Sequence, residues 1–204
     1  MASKNLNLPN SLTIIRLLMV PVIVAMMNPV SLRTPTPRES VWAALLFTIA
    51  FLTDWLDGYF ARKYDLVTPL GEFLDPLADK IVFLCPLIAL VPHGWAPGWL
   101  VSLLMFREFG VQGLRAIAAE QGLRINSTTS GRSKTVYQFA AVMYLLLHYH
   151  TSTLGLTSVL GLPIPDANFH AIGLVFLYVA TAFTLYSGFM YFVAFLKADA
   201  ASAD

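Results

Sequence analysis

The chain is poor in charge and nearly devoid of cysteine. Only 12% of its 204 residues are Asp, Glu, Lys or Arg. That is about half the share in a soluble domain, too few ionic side chains to cover a water-facing globule. Cys85 is the only cysteine, which excludes an intrachain disulfide framework and a cysteine-based zinc site. Neither sign of charge dominates: 13 Lys and Arg stand against 12 Asp and Glu, a net of +1. This excludes the basic footprint of a nucleic-acid binder and an acidic tail. No internal repeat or low-complexity tract divides residues 1–204, which read as one domain. What is present is apolar: 57% of residues are hydrophobic and the mean hydropathy is +0.66. The composition predicts a polytopic integral membrane protein.

A transmembrane helix needs about 20 mostly apolar residues. Six stretches qualify approximately: 12–27, 41–60, 72–91, 97–119, 135–149 and 171–196. Proline and glycine punctuate the breaks, at Asn28-Pro29, Pro35, Pro37, Pro69, Gly94, Pro97, Gly122 and Gly161-Leu162-Pro163. Irregular backbone cannot face lipid, so each stretch is expected to be helical. The predicted fold is all-α, with six membrane-spanning helices behind a short interfacial segment, Lys4 to Asn10. Asn10 suits the N-cap of a helix opening at Ser11. Arg16 interrupts the first stretch and no small-x-small site follows it, unlike a cleavable signal. Lys4, Arg62, Lys63, Arg124, Arg132, Lys134 and Lys197 collect on one side, against Arg33 and Arg38 on the other. The positive-inside rule then places both termini in the cytoplasm.

The acids occupy unusual positions. Asp54 and Asp57 lie three apart in the second stretch, and Asp75 and Asp79 four apart in the third, so each pair shares a helix face. An acid at mid-membrane costs about 2.5–3.5 kcal/mol on insertion scales. Four together require compensation. A short polar turn around Asp65 to Pro69 implies an antiparallel hairpin. Its centre, near residue 66, sets Asp57 beside Asp75 and Asp54 beside Asp79. Such a patch suits hard divalent cations, and four acids suffice for two ions that clamp a phosphoryl transfer. Gly58, Ala61 and Gly71 leave room beside the acids, and Arg62 offers a cation to a pyrophosphate. Intramembrane acids also mark ion or proton pathways, so a transporter is the rival reading. Against it, the acids cluster near one surface.

The run Asp54-x-x-Asp57-Gly58-x-x-Ala61-Arg62, then Gly71, Asp75 and Asp79, resembles at every fixed position the signature of the CDP-alcohol phosphotransferases. The resemblance implies a six-helix membrane enzyme, a homodimer, with its active site facing the cytoplasm of a bacterial inner membrane. It implies that the four aspartates bind two Mg²⁺ or Mn²⁺ ions and that Asp79 is the base deprotonating the acceptor hydroxyl. Gly58, Ala61, Arg62 and Gly71 would line the CDP site, joined by Asn10 and Thr13.

The acceptor must be read elsewhere. Arg107 and Arg115, with Glu108, lie in the fourth stretch, eight residues apart. Ser130 to Thr135 interleaves Arg132 and Lys134 with small residues at the start of the fifth, a ready anion site at a helix N-terminus. Snorkelling to the interface is the lesser alternative for Arg115, and the positive-inside rule is an even alternative for Arg132 and Lys134. Read together, the four cations describe a second phosphate site, which favours an acceptor with its own phosphate. The run from Arg107 to Arg115, with Gly122 and Gly131 to Thr135, resembles the branch of the family that joins CDP-diacylglycerol to glycerol 3-phosphate. Arg132 departs from the lysine usual there. Inositol phosphate or phosphatidylglycerol is the alternative acceptor. His93, His148, His150 and His170 lie at span ends or in loops and read as interfacial, and the sixth stretch reads as scaffold or dimer surface.

Overall fold

The computed structural model describes residues 8–27, 33–64, 69–122, 131–155 and 165–203, apart from the side chains of 8–9, 54–64, 69–70, 72–73, 131–134 and 201–203. Six helices account for most of them: α1 (Leu8–Met27), α2 (Pro37–Tyr64), α3 (Pro69–Leu90), α4 (Gly98–Glu120), α5 (Gly131–Leu147) and α6 (Phe169–Ala203). Each expected stretch is a helix. Two of them, over Asn10–Met27 and Phe169–Ala200, are long and apolar enough to cross a bilayer by composition alone. Charges lower the apolarity of the others; α2 carries Arg38, Glu39, Asp54, Asp57, Arg62 and Lys63.

The helix ends differ from expectation for local reasons. α1 opens at Leu8 rather than Ser11, because Pro9 is tolerated in a first turn. Asn10 is therefore inside the helix and buried, and is not its cap. α2 opens earlier than Val41 because Thr36 and Glu39 form a capping box. Glu39 N donates to Thr36 Oγ1 at 3.3 Å, and Thr36 N donates to Glu39 Oε2 at 2.6 Å. The Thr36 amide foremost, with Arg33 second, brings the Glu39 carboxyl down to about 2, ahead of the apolar stretch.

Contacts at one end fix the direction of the helices. His93, just after α3, donates from Nε2 to the Met27 carbonyl at the end of α1, 2.7 Å away. Trp95, before α4, stacks on His148, after α5, with ring centroids 3.6 Å apart. The Tyr149 hydroxyl donates to the Pro35 carbonyl before α2. His170, in the first turn of α6, donates its amide to the His148 carbonyl at 3.2 Å. The ends of α1, α3 and α5 thus meet the starts of α2, α4 and α6. The bundle runs up and down, and the acid-bearing ends lie together at the opposite pole.

Among the described residues α1 packs along both α2 and α3, while α2 and α3 meet each other sparingly. The core joins Phe47 and Phe51 of α2, Phe83 of α3 and Phe139 of α5; Phe51 stacks on Phe139 at 4.3 Å. The outward face remains apolar, with Leu18, Leu52, Val175 and Phe189 exposed and Phe106 79% so.

Among the described residues α5 and α6 share the most extensive contact, and Gly173 permits a close approach within it. A Cβ there would lie 2.8 Å from Leu145 N and 2.9 Å from Leu145 Cγ. Backbone cannot yield as a flexible side chain does, so Gly173→Ala should cost about 1–3 kcal/mol as overpacking despite alanine's better helix propensity. A lowered unfolding midpoint of the detergent-purified variant is the expected outcome; an unchanged or raised one would refute this close approach.

Candidate active site

Asn10, Thr13, Arg16, Val20, Ile23 and Met27 of α1 recur every three or four residues, so they share one face. All six are buried. The half near the acid-bearing pole is polar and the other half apolar. Arg16, 1% exposed, is among the largest fully buried side chains of the protein. Its burial requires a nearby anion. α3 runs parallel to α1 and supplies two. Thr13 Oγ1 donates to Asp75 Oδ1 at 3.2 Å, and Arg16 Nη1 stands 3.8 Å from Asp79 Oδ1. Four residues separate the acids and three separate their partners, so the helices match turn for turn. Asp79 remains 59% exposed: the cation sits behind it, and the carboxylate opens outward.

It opens into a cleft of about 470 Å³. Asp75, Asp79 and Lys80 of α3 form one wall with Arg16 behind them, and Glu108 and Arg115 of α4 and Thr135 and Gln138 of α5 also line it. Ala50, Phe51, Val82 and Phe83 give it an apolar floor. A hard, oxygen-seeking cation fits this donor set, since Asp75 and Asp79 are carboxylates one helical turn apart on an accessible wall. Among the described residues no three His, Cys, Asp or Glu side chains are grouped for a metal. A groove of about 580 Å³ at the other pole, lined by Thr36, Arg38, Trp42 and Thr153 among others, holds no acid.

The other expected site residues divide into three groups. Gly71 is buried on α3, one turn before Asp75. Asp54, Asp57, Gly58, Ala61 and Arg62 lie on the closing turns of α2, and Arg132 and Lys134 on the opening turn of α5. Their side chains, and with them the expected apposition of Asp57 with Asp75 and of Asp54 with Asp79, lie outside the described residues. Arg107 and Arg115 are not brought together in the cleft. Arg115 lines it, with its guanidinium 5.5 Å from the centre of the Tyr191 ring. Arg107 turns to α6 instead. Its Nε donates to the Thr184 carbonyl at 2.8 Å, its Nη2 to Ser187 Oγ at 3.2 Å and its Nη1 to Glu108 Oε1 at 3.0 Å. Gly188 makes room, since a Cβ there would meet Arg107 Cγ at 3.0 Å.

Arg16, Lys80 and Gln138 line the cleft without having been singled out from the sequence as site residues, beside Thr135 of the expected anion-binding segment. Arg16 carried a signal: an ionisable group within an apolar stretch, on the face of Asn10 and Thr13. Gln138 carried a fainter one, as the sole amide of α5.

The family model of CDP-alcohol phosphatidyltransferase matches residues 6–197. CDP-diacylglycerol–glycerol-3-phosphate 3-phosphatidyltransferase of Bacillus subtilis (strain 168) is 40% identical over 193 residues, 91% of this chain and 93% of that protein. The like-named protein of Rickettsia bellii is 35% identical over 191 residues, 94% and 96% of the two chains. A probable phosphatidylglycerophosphate synthase of Mycobacterium tuberculosis (strain H37Rv) is 37% identical over 141 residues, 69% of this chain and 66% of that one.

The two arginines of α4 should separate in a stability measurement. A hydrogen bond from a charged group contributes about 1.5–3 kcal/mol, so Arg107→Ala, which removes two hydrogen bonds to α6 and one to Glu108, should lower the unfolding midpoint of the purified protein clearly. Arg115→Ala, at an exposed position, should leave it almost unchanged. Equal effects would refute the division of roles.

Proposed function

This chain belongs to the CDP-alcohol phosphatidyltransferase family, and from that premise we propose that it transfers the phosphatidyl group of CDP-diacylglycerol to glycerol 3-phosphate, giving phosphatidylglycerophosphate and CMP. The observation that carries the reading is the joint presence of Asp75, Asp79 and Arg115 in one cleft. Carboxylates suited to a proton and a cation face the same space as a guanidinium suited to a phosphate. The names of the B. subtilis and R. bellii relatives select the same pair of substrates.

The acceptor's terminal hydroxyl gives its proton to Asp79, and its oxygen attacks the phosphorus that bears the diacylglycerol. The bond from that phosphorus to the CMP oxygen breaks, and CMP leaves. Arg16, buried behind Asp79, holds the carboxylate aimed into the cleft. Thr13 does the same for Asp75. Arg115, with Arg132 and Lys134 at the start of α5, binds the acceptor's phosphate. Asn10, Gly58, Ala61, Arg62 and Gly71 serve the CDP moiety. Asp54, Asp57, Asp75 and Asp79 would hold two Mg²⁺ or Mn²⁺ ions, which when bound offset the charge of the pyrophosphate and of departing CMP.

All six helices span the bacterial inner membrane, and the protein works as a homodimer. The outward exposure of Phe106, Leu18 and Phe189 supports a lipid environment. Both termini and the cleft face the cytoplasm. The up-and-down order supports this by bringing Arg62, Arg132, Lys134 and Lys197 to the pole of the acids. An ion pathway is disfavoured because the polar face of α1 stops at Arg16 and continues as Val20, Ile23 and Met27.

Purified protein should release CMP from CDP-diacylglycerol only with glycerol 3-phosphate and a divalent cation. Asp57→Asn and Asp75→Asn should abolish that release without impairing insertion; near-normal turnover of either would end the shared-metal reading. Arg115→Ala and Lys134→Ala should each raise the glycerol 3-phosphate KM by about ten- to a hundredfold, the loss of one charged hydrogen bond. The CDP-diacylglycerol KM should hardly move. A rise confined to the donor KM would reassign these cations to the pyrophosphate.

A further inference from the structure

We infer that Gln138 binds the hydroxyl of the acceptor that does not react, and so selects a glycerol-type acceptor within the cleft. The inference rests on the proposed transfer to glycerol 3-phosphate and assigns a group that the reading above leaves without a partner. Glycerol 3-phosphate has three polar functions: a phosphate, the terminal hydroxyl that attacks, and a middle hydroxyl that stays intact. Arg115 answers the first and Asp79 the second. Both also line the cleft with Gln138.

The position of Gln138 is otherwise difficult to explain. Between Thr135 and Leu147, α5 has no charged residue and no other amide. Gln138 is partly buried, and its carboxamide makes no hydrogen bond with any described residue, unlike Lys80 and Glu108 of the same cleft. Lys80 donates to the Pro76 carbonyl at 2.9 Å, and Glu108 accepts from Arg107. Gln138 is not among the buried polar groups left without a partner, so its carboxamide is open to the cleft, on hand for a ligand that lies between Asp79 and Arg115. A carboxamide both donates and accepts, as a neutral hydroxyl does. Carboxylates only accept and guanidinium groups only donate, so neither matches a hydroxyl as fully.

The discriminating substrate is 3-hydroxypropyl phosphate, which keeps the phosphate and the terminal hydroxyl and lacks the middle one. The native protein, with Mg²⁺ and CDP-diacylglycerol, should use glycerol 3-phosphate with a kcat/KM about three- to tenfold higher, as expected of one neutral hydrogen bond. In Gln138→Leu the two acceptors should become nearly equal, through a rise in the glycerol 3-phosphate KM, with the donor KM unchanged. Gln138→Met, unbranched like glutamine, should behave alike and replaces the leucine variant if that one is inactive. Loss of folded protein lowers both acceptors equally and cancels in the ratio. A preference that survives in both variants, or a rise in the donor KM instead, overturns the inference. So does a native protein that uses both acceptors equally, which leaves the proposed function standing. A native protein that uses neither acceptor overturns the proposed function, and this inference with it.

Discussion

The buried guanidinium of Arg16 is the constraint on which the site depends. A charge 1% exposed in the middle of a helical bundle fixes its neighbours, because removing one partner of a buried pair costs about 3–5 kcal/mol. Asp79 is half in solvent, which keeps this pair below that range. The direction of the demand is nevertheless clear. α3 must present an acid to α1 at this level, and Thr13 with Asp75 repeats the requirement one turn earlier. Two polar contacts set the register of α1 against α3. Phe51 and Phe83, in edge contact, then close the floor beneath the opening, with Phe139 stacked on Phe51.

Charge serves two purposes in α4. Arg107 and Arg115 are the same residue type on the same helix, yet one is committed to α6 and the other opens onto the cleft. Helical spacing does not separate these roles. What separates them is the partner surface: α6 brings a carbonyl, a hydroxyl and the space at Gly188 to Arg107, and only a tyrosine ring to Arg115. A cation in an apolar helix is therefore a site residue only after its neighbours have been counted.

The six helices were legible in the hydropathy, and the acid pairs in the spacing of Asp54, Asp57, Asp75 and Asp79. Helix ends were less so, because the start of α2 depends on the Thr36–Glu39 hydrogen bonds and that of α1 on the tolerance of Pro9 in a first turn, rather than on apolarity. The expected α2–α3 hairpin conveyed chain adjacency. Among the described residues α1 packs along both helices, a contact that a short turn between them does not announce. His93, His148 and His170 each read as interfacial residues. The bundle gathers them around Trp95 at one pole, where they tie α1, α3, α5 and α6 together. Convergence of residues up to 77 positions apart leaves no local pattern.

The stripe on α1 also limits how the chain can vary in length. Each residue turns a helix by about 100°, so one residue inserted between Arg16 and Val20 would rotate the apolar half against the polar half. Either Ile23 and Met27 would leave the core, or Asn10, Thr13 and Arg16 would leave the acids. Two insertions would worsen the mismatch; about four, near one full turn, would nearly restore the face, and about seven would restore it more closely while lengthening the helix by about 10 Å. A substitution within α1 disturbs one contact of the stripe at a time. An insertion or deletion of one or two residues disturbs one whole half of it.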